Sequence, residues 1–135
     1  MFRHPNKELN YDLKIKIDGK KLLPSNYVKY LGILIDSHLK WNYQTDTLAS
    51  KLSRTIGMLT KIRHYVNKNT LRSIYYGIFS SILTYGCQIW GQIQNKYVNR
   101  VIKLQDKAIR IINFAHFNAS TKRLHYNSKN LKFTI

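Results

Sequence analysis

Acidic side chains are scarce in this sequence: six Asp and Glu stand against twenty-three Lys and Arg in 135 residues, a formal net charge of +17. Such an imbalance repels itself in a compact fold unless a polyanion neutralises it, so the expected partner is nucleic acid or an anionic membrane surface. Cysteine is nearly absent. Cys87 stands alone, so no internal disulfide forms, and no charged-then-apolar leader follows Met1. The expected setting is therefore reducing and intracellular, nucleus or cytoplasm, and not secreted. His4, His38, His64, His116 and His125 are scattered and offer no ligand spacing for a structural zinc site. A long lipid-compatible run is missing too. The stretch 73–95 is uncharged and long enough to cross a bilayer, but Ser73, Tyr75, Tyr76, Ser80, Ser81, Thr84, Tyr85 and Gln88 make it too polar for lipid exposure, and Gly86 interrupts it. It reads as a buried helix of a small bundle.

What is present is core material. Hydrophobic residues at 44% and aromatics at 13% are too many for a disordered basic tail, so the charge decorates one folded domain or a piece of one. Its distribution is uneven, with net +4 over residues 1–40, +5 over 41–95 and +8 over 96–135.

Leu13, Ile15 and Ile17 alternate with Lys14, Lys16 and Asp18, and Asp18-Gly19 supplies the positive-φ pair of a two-residue hairpin turn. Pro24, Ser25 and Asn26 break the pattern. Tyr27 to Ile35, β-branched and aromatic with one Gly, predicts a strand buried on both faces, with Gly32 as a bulge or a place of close backbone approach. Leu48, Leu52, Ile56, Leu59, Ile62 and Val66 share a helical stripe from about Tyr43 to Val66, with Arg54 and Lys61 pointing away. Asn69 or Thr70 is expected to cap a second helix carrying Leu71, Ile74, Ile78, Ile82 and Leu83, ending at Tyr85-Gly86. A third, about Lys96 to Phe114, is expected to bury Val98, Val101, Ile102, Gln105, Ala108, Ile109 and Ile112. The tail 118–135 is polar, with Leu124, Leu131 and Phe133 as its few anchors.

The third helix carries the strongest chemical signal. Lys96, Arg100, Lys103, Lys107 and Arg110 are spaced by four, three, four and three, a line of cations up one face with nothing acidic interrupting it. Like charges so placed destabilise a lone helix, and phosphates seated on them relieve that cost. No catalytic arrangement is visible. Asp18, Asp36, Asp46 and Asp106 have no second carboxylate nearby in sequence, so no two-metal site is expected. Asp36, ending the strand, is read as a turn or helix cap before a metal ligand. Cys87 and the histidines form no nucleophile and base pair. Trp41, Tyr75, Tyr76, Tyr85 and Trp90 are read as core, with Tyr30, beside Gly32, placed where a base or sugar can reach.

Val28-Lys29-Tyr30-Leu31-Gly32-Ile33-Leu34-Ile35-Asp36, followed by Leu39-Lys40-Trp41, resembles a segment of the reverse transcriptases of non-LTR retrotransposons, the jockey-like group in particular. Leu71 through Tyr75-Tyr76, Ser81-Ile82-Leu83-Thr84-Tyr85-Gly86, Trp90-Gly91 and Leu104 through Ile112 resemble the helical blocks that follow there, in the same order, over about residues 13–117. The resemblance implies an α+β fragment: residues 1–40 as the end of the palm with a primer-grip-like β segment, 41–117 as a thumb-like helical bundle, and 118–135 as a polar C-terminal segment. Lys29, Tyr30, Leu31 and Gly32 fall on the grip pattern. Arg54, Lys61, Lys96, Arg100, Lys103, Lys107 and Arg110 are the expected phosphate contacts on the thumb, following a backbone without reading bases.

The family carries adjacent aspartates for two metal ions after an aromatic and alanine turn, and no Asp-Asp pair occurs here. The expectation is a segment truncated at both ends, without an upstream endonuclease domain and inactive by itself. It requires no cofactor, whereas the intact polymerase requires Mg2+. The expected partners are an RNA/DNA primer–template duplex and the missing palm and fingers, with no membrane. The competing readings are a stand-alone basic RNA-binding or chromatin-associated module and, after it, a membrane-surface protein.

Overall fold

The computed structural model describes residues 14–23, 25–90, 96–122 and 124, and at 96 and 97 the helical backbone alone. The fold is α+β, two small antiparallel hairpins followed by helices. The chain divides into two compact units, Met1–Gln44 and Thr45–Ile135. Leu13, Pro24, Gly91, Leu131, Phe133, His4 and His125 lie outside the described residues, as does most of the 118–135 segment.

In the first unit, β1 (Lys16–Ile17) pairs with β2 (Lys20–Lys21) across Asp18-Gly19. Both turn residues have positive φ, 48° and 74°, the mirror-image turn whose twist matches that of the strands. The segment 27–36 departs from expectation. It is not one strand buried on both faces but a second hairpin, β3 (Tyr27–Tyr30) with β4 (Ile33–Asp36), in register Tyr27↔Asp36 through Tyr30↔Ile33. Leu31-Gly32 forms its turn, at φ 45° and 79°. Gly32 is therefore a turn residue and not a bulge, because the pairing Tyr30↔Ile33 leaves Leu31-Gly32 as a two-residue loop with no extra residue in either strand. All of β3 is exposed, whereas Ile33 and Asp36 of β4 are buried. Leu34 N–H donates to Gln44 Oε1 at 3.0 Å, occupying part of the outer edge of β4.

Helix α1 (Asn42–Ile62) buries Leu48, Leu52, Ile56 and Leu59, the expected stripe. Ile62, its last residue, is half-buried, and the chain turns before Val66. Helix α2 (Lys68–Ile74) starts earlier than predicted. Its cap is Asn67, in extended conformation, whose side chain accepts from Thr70 N–H at 2.8 Å. Asn69 and Thr70 lie inside the helix, where a side chain has no free first-turn donor of its own to reach.

A π-helical turn, Tyr75–Ser80, follows α2 directly and runs on into α3 (Ser81–Thr84). The buried residues are Leu71, Tyr75, Phe79 and Leu83, every fourth one. The expected stripe is correct at Leu71 and Leu83, but Ile74 and Ile82 are half-buried and Ile78 is exposed. In an α-helix a four-residue repeat drifts one way round the axis, and in the wider π turn, closed from i to i+5, it drifts the other way, so the two in succession keep residues four apart near one face. The Tyr75 and Phe79 rings consequently stack, centroids 5.2 Å apart. After Gly86, at φ 68°, α4 (Cys87–Trp90) buries Trp90, whose Nε1–H donates to Tyr85 O.

Helix α5 (Lys96–Ile112) buries Val98, Val101, Gln105, Ala108, Ile109, Ile111 and Ile112, while Ile102, expected inside, is exposed. It packs on α2, and the Gln105 side chain is hydrogen-bonded to the Tyr75 hydroxyl. Two contacts tie it to α1. Arg100 meets Asp46 at 3.4 Å near the start of both helices, and Arg63 lies over the Phe114 ring at 5.4 Å just past the end of both. The two helices therefore run side by side in the same direction.

Candidate nucleic-acid interface

The four grip-like residues share the end of the second hairpin. Lys29 and Tyr30 close β3, Leu31-Gly32 is the turn, and Tyr30 and Leu31 are 64% and 73% exposed. Leu31 occupies left-handed backbone, where a side chain with a Cβ costs about 1–2 kcal/mol, so its side chain is held outward at the tip.

The loop that leaves this hairpin is organised by one carboxylate. Asp36 Oδ1 accepts from His38 N–H and Lys40 N–H, each at 3.0 Å, and Oδ2 accepts from Trp41 N–H at 2.6 Å. Leu39 and Trp41 stand at φ 54° and 60°, conformations that persist where the surroundings over-determine them. Asp36 thus closes the loop at the entry of α1, the capping role expected of it. Its carboxylate is taken up by backbone donors.

The cations expected to meet phosphate lie in the second unit on α1 and α5. Arg54 and Lys61 are exposed on α1, and Arg100, Lys103 and Lys107 are exposed on α5. The line on α5 is less uniform than its spacing predicts. Asp46 of α1 places a carboxylate against Arg100, both side chains more than half exposed, an ion pair worth little in water. Arg110 is half-buried and its Nε–H donates to Ala119 O at 3.0 Å, tying it to the segment after α5. The Lys96 side chain lies outside the described residues. Sequence reasoning paired no acid with the line because Asp46 is 54 positions from Arg100. It also passed over Gly57, which stands between Arg54 and Lys61 on the same face of α1, although a lone Gly inside a helical pattern is a readable signal.

Tyr75 is held well above its ordinary titration range. Burial pushes its phenol up to about 12, opposed by the hydrogen bond with Gln105 and reinforced slightly by Tyr76. Its place behind α5 makes it a packing residue.

Comparison with known proteins finds retrotransposon polymerases among similar sequences. The chain is 27% identical over 107 residues, 77% of its length, to a probable RNA-directed DNA polymerase from transposon X-element of Drosophila melanogaster. The chain is similar to RNA-directed DNA polymerases of non-LTR retrotransposons. A probable RNA-directed DNA polymerase from transposon BS of the same organism is 29% identical over 82% of the chain, and the RNA-directed DNA polymerase from mobile element jockey is 24% identical over 85%. The chain spans 12–13% of the length of these retrotransposon polymerases. No protein-family model and no solved structure matches it. Among the described residues no helix is long and apolar enough to cross a membrane.

Proposed function

We propose that this chain is a palm-end and thumb-like segment of a retrotransposon RNA-directed DNA polymerase that grips the sugar–phosphate backbone of a primer–template duplex without reading its sequence. The observation that carries the reading is the pair of parallel helices with exposed cations on both, Arg54 and Lys61 on α1 and Arg100, Lys103 and Lys107 on α5. Cations repeated once per turn on rigid rods suit a regular polyanion and distinguish no base, since base identity is read at the groove edges by planar donor and acceptor pairs. The names of the relatives support a nucleic-acid substrate, and the residues of the β3–β4 tip are assigned to the primer end. No Asp-Asp pair occurs in the sequence, and Asp36 serves as a cap and Asp46 as an ion-pair partner, so on this reading the chain binds a duplex but does not extend it.

The test is fluorescence anisotropy of a labelled RNA–DNA hybrid titrated with the full chain at several salt concentrations. Four or five neutralised phosphates give a log–log slope of about −4, taking roughly 0.9 per phosphate. Binding that is indifferent to salt, absent at low ionic strength, or accompanied by primer extension overturns the reading.

A further inference from the structure

Gly57 lies in the middle of a 21-residue helix, where glycine is the second-worst residue for helix stability. No packing explains it. A Cβ built at Gly57 meets nothing within 4 Å, and the residue is exposed. Its surroundings on the helix are specific. Arg54 and Lys61 stand three before and four after it, on the same face one turn away on either side. The same row begins at Asp46, which touches Arg100 of α5, so the parallel course of the two helices sets the Arg54–Gly57–Lys61 row beside the row of Arg100, Lys103 and Lys107. Arg54 and Lys61 are separated by roughly 10 Å along the axis at 1.5 Å per residue, and packed helices stand about 8–10 Å apart. The two contacts between the helices set Lys107 within about 6 Å of Gly57 along the axis at 1.5 Å per residue, so the opening at Gly57 is flanked by Arg54 and Lys61 on α1 and by Lys107 across from it, and its floor is bare backbone.

Resting on the phosphate-binding reading, we propose that one sugar–phosphate strand of the bound nucleic acid passes directly over Gly57, held by Arg54 and Lys61 on one side and Lys107 on the other. Long cations alone bind a polyanion at arm's length. A glycine among them lets the strand reach van der Waals contact with the helix, as glycines do wherever a ligand backbone approaches closely. A linear polyanion suits two parallel rows, and an acidic protein surface with scattered carboxylates suits them less.

The test compares Gly57→Leu with the wild-type chain. Leucine keeps every charge, has a far better helix propensity than glycine and enters open space, so the thermal midpoint is expected to be no lower. Affinity for an RNA–DNA hybrid at fixed low salt is expected to fall at least tenfold. A second readout needs no variant: in amide spectra of the wild-type chain, the Gly57 resonance is expected to be among the most shifted by the hybrid. Wild-type affinity in Gly57→Leu within twofold, a Gly57 amide unmoved by saturating hybrid, or polyglutamate competing as well as nucleic acid of equal charge overturns the proposal. If the first two occur while hybrid binding stays salt-dependent, the cation reading stands and the passage over Gly57 does not. If the wild-type chain binds no hybrid at all, both fall.

Discussion

Single residues here hold backbone conformations that their chemistry disfavours. Leu31 is the clearest, an aliphatic side chain in left-handed backbone and 73% exposed, so it pays the steric cost with little burial in return. Leu31→Asn, which restores the Asn-Gly pair favoured in such turns, is expected to raise stability by about 1 kcal/mol in urea denaturation. An unchanged or lower midpoint contradicts that account. Asp36 works in the opposite sense, supplying the acceptors that hold Leu39 and Trp41 at positive φ. Asp36→Ala strands three backbone donors and is expected to cost about 3 kcal/mol, with Asp36→Asn losing less because one carbonyl oxygen remains. Tyr75 sets a pH dependence. Its folded pKa of about 12 lies above the ordinary 10.0, so as pH rises from 10 the unfolded chain loses this proton first and stability falls until both states are ionised. The gap in unfolding free energy between wild type and Tyr75→Phe is expected to move against the wild type by about 2 kcal/mol between pH 9 and pH 12. Parallel pH profiles for the two proteins exclude it.

At the scale of elements, periodicity made the helices legible and a change of period hid part of one. Leu48, Leu52, Ile56 and Leu59 of α1, and Val98, Val101, Gln105, Ala108, Ile109 and Ile112 of α5, recur at α spacing and are buried as their spacing predicts. In the 71–83 region the same rule selects Ile74 and Ile78, whereas the π turn turns Tyr75 and Phe79 inward, and no local residue announces a π turn. Tyr27–Ile35 misled for a similar reason: Leu at the first turn position lacks the Asn, Asp or Gly signature that made Asp18-Gly19 readable. The functional expectation at this scale belongs to α5. Replacing Arg100, Lys103 and Lys107 together by Gln is expected to weaken hybrid binding several-fold on every sequence alike and to make the salt slope shallower by up to about 3. A loss confined to particular sequences points instead to base reading.

For the whole molecule, a formal charge of +17 acts on stability as well as on binding. At about 0.01 M salt the screening length is roughly 30 Å and the cations repel across the fold, while at about 0.15 M it shrinks to roughly 8 Å. The thermal midpoint of the free chain is therefore expected to rise with salt over this range, while its affinity for a hybrid falls. A midpoint that drops with salt contradicts the self-repulsion account. In the second hairpin Val28 and Leu31 are exposed, whereas Ile33 is buried and Ile35 half-buried. Sequence by itself determined the charge, the helical stripes, the Asp18-Gly19 turn and the resemblance, because each depends on residues close along the chain or on composition. Tertiary structure decided the Leu31-Gly32 hairpin, the π turn and the meeting of Asp46 with Arg100 that sets two cationic rows side by side. These depend on packing between distant residues, whose summed free energy overrides local preferences of about 1 kcal/mol each.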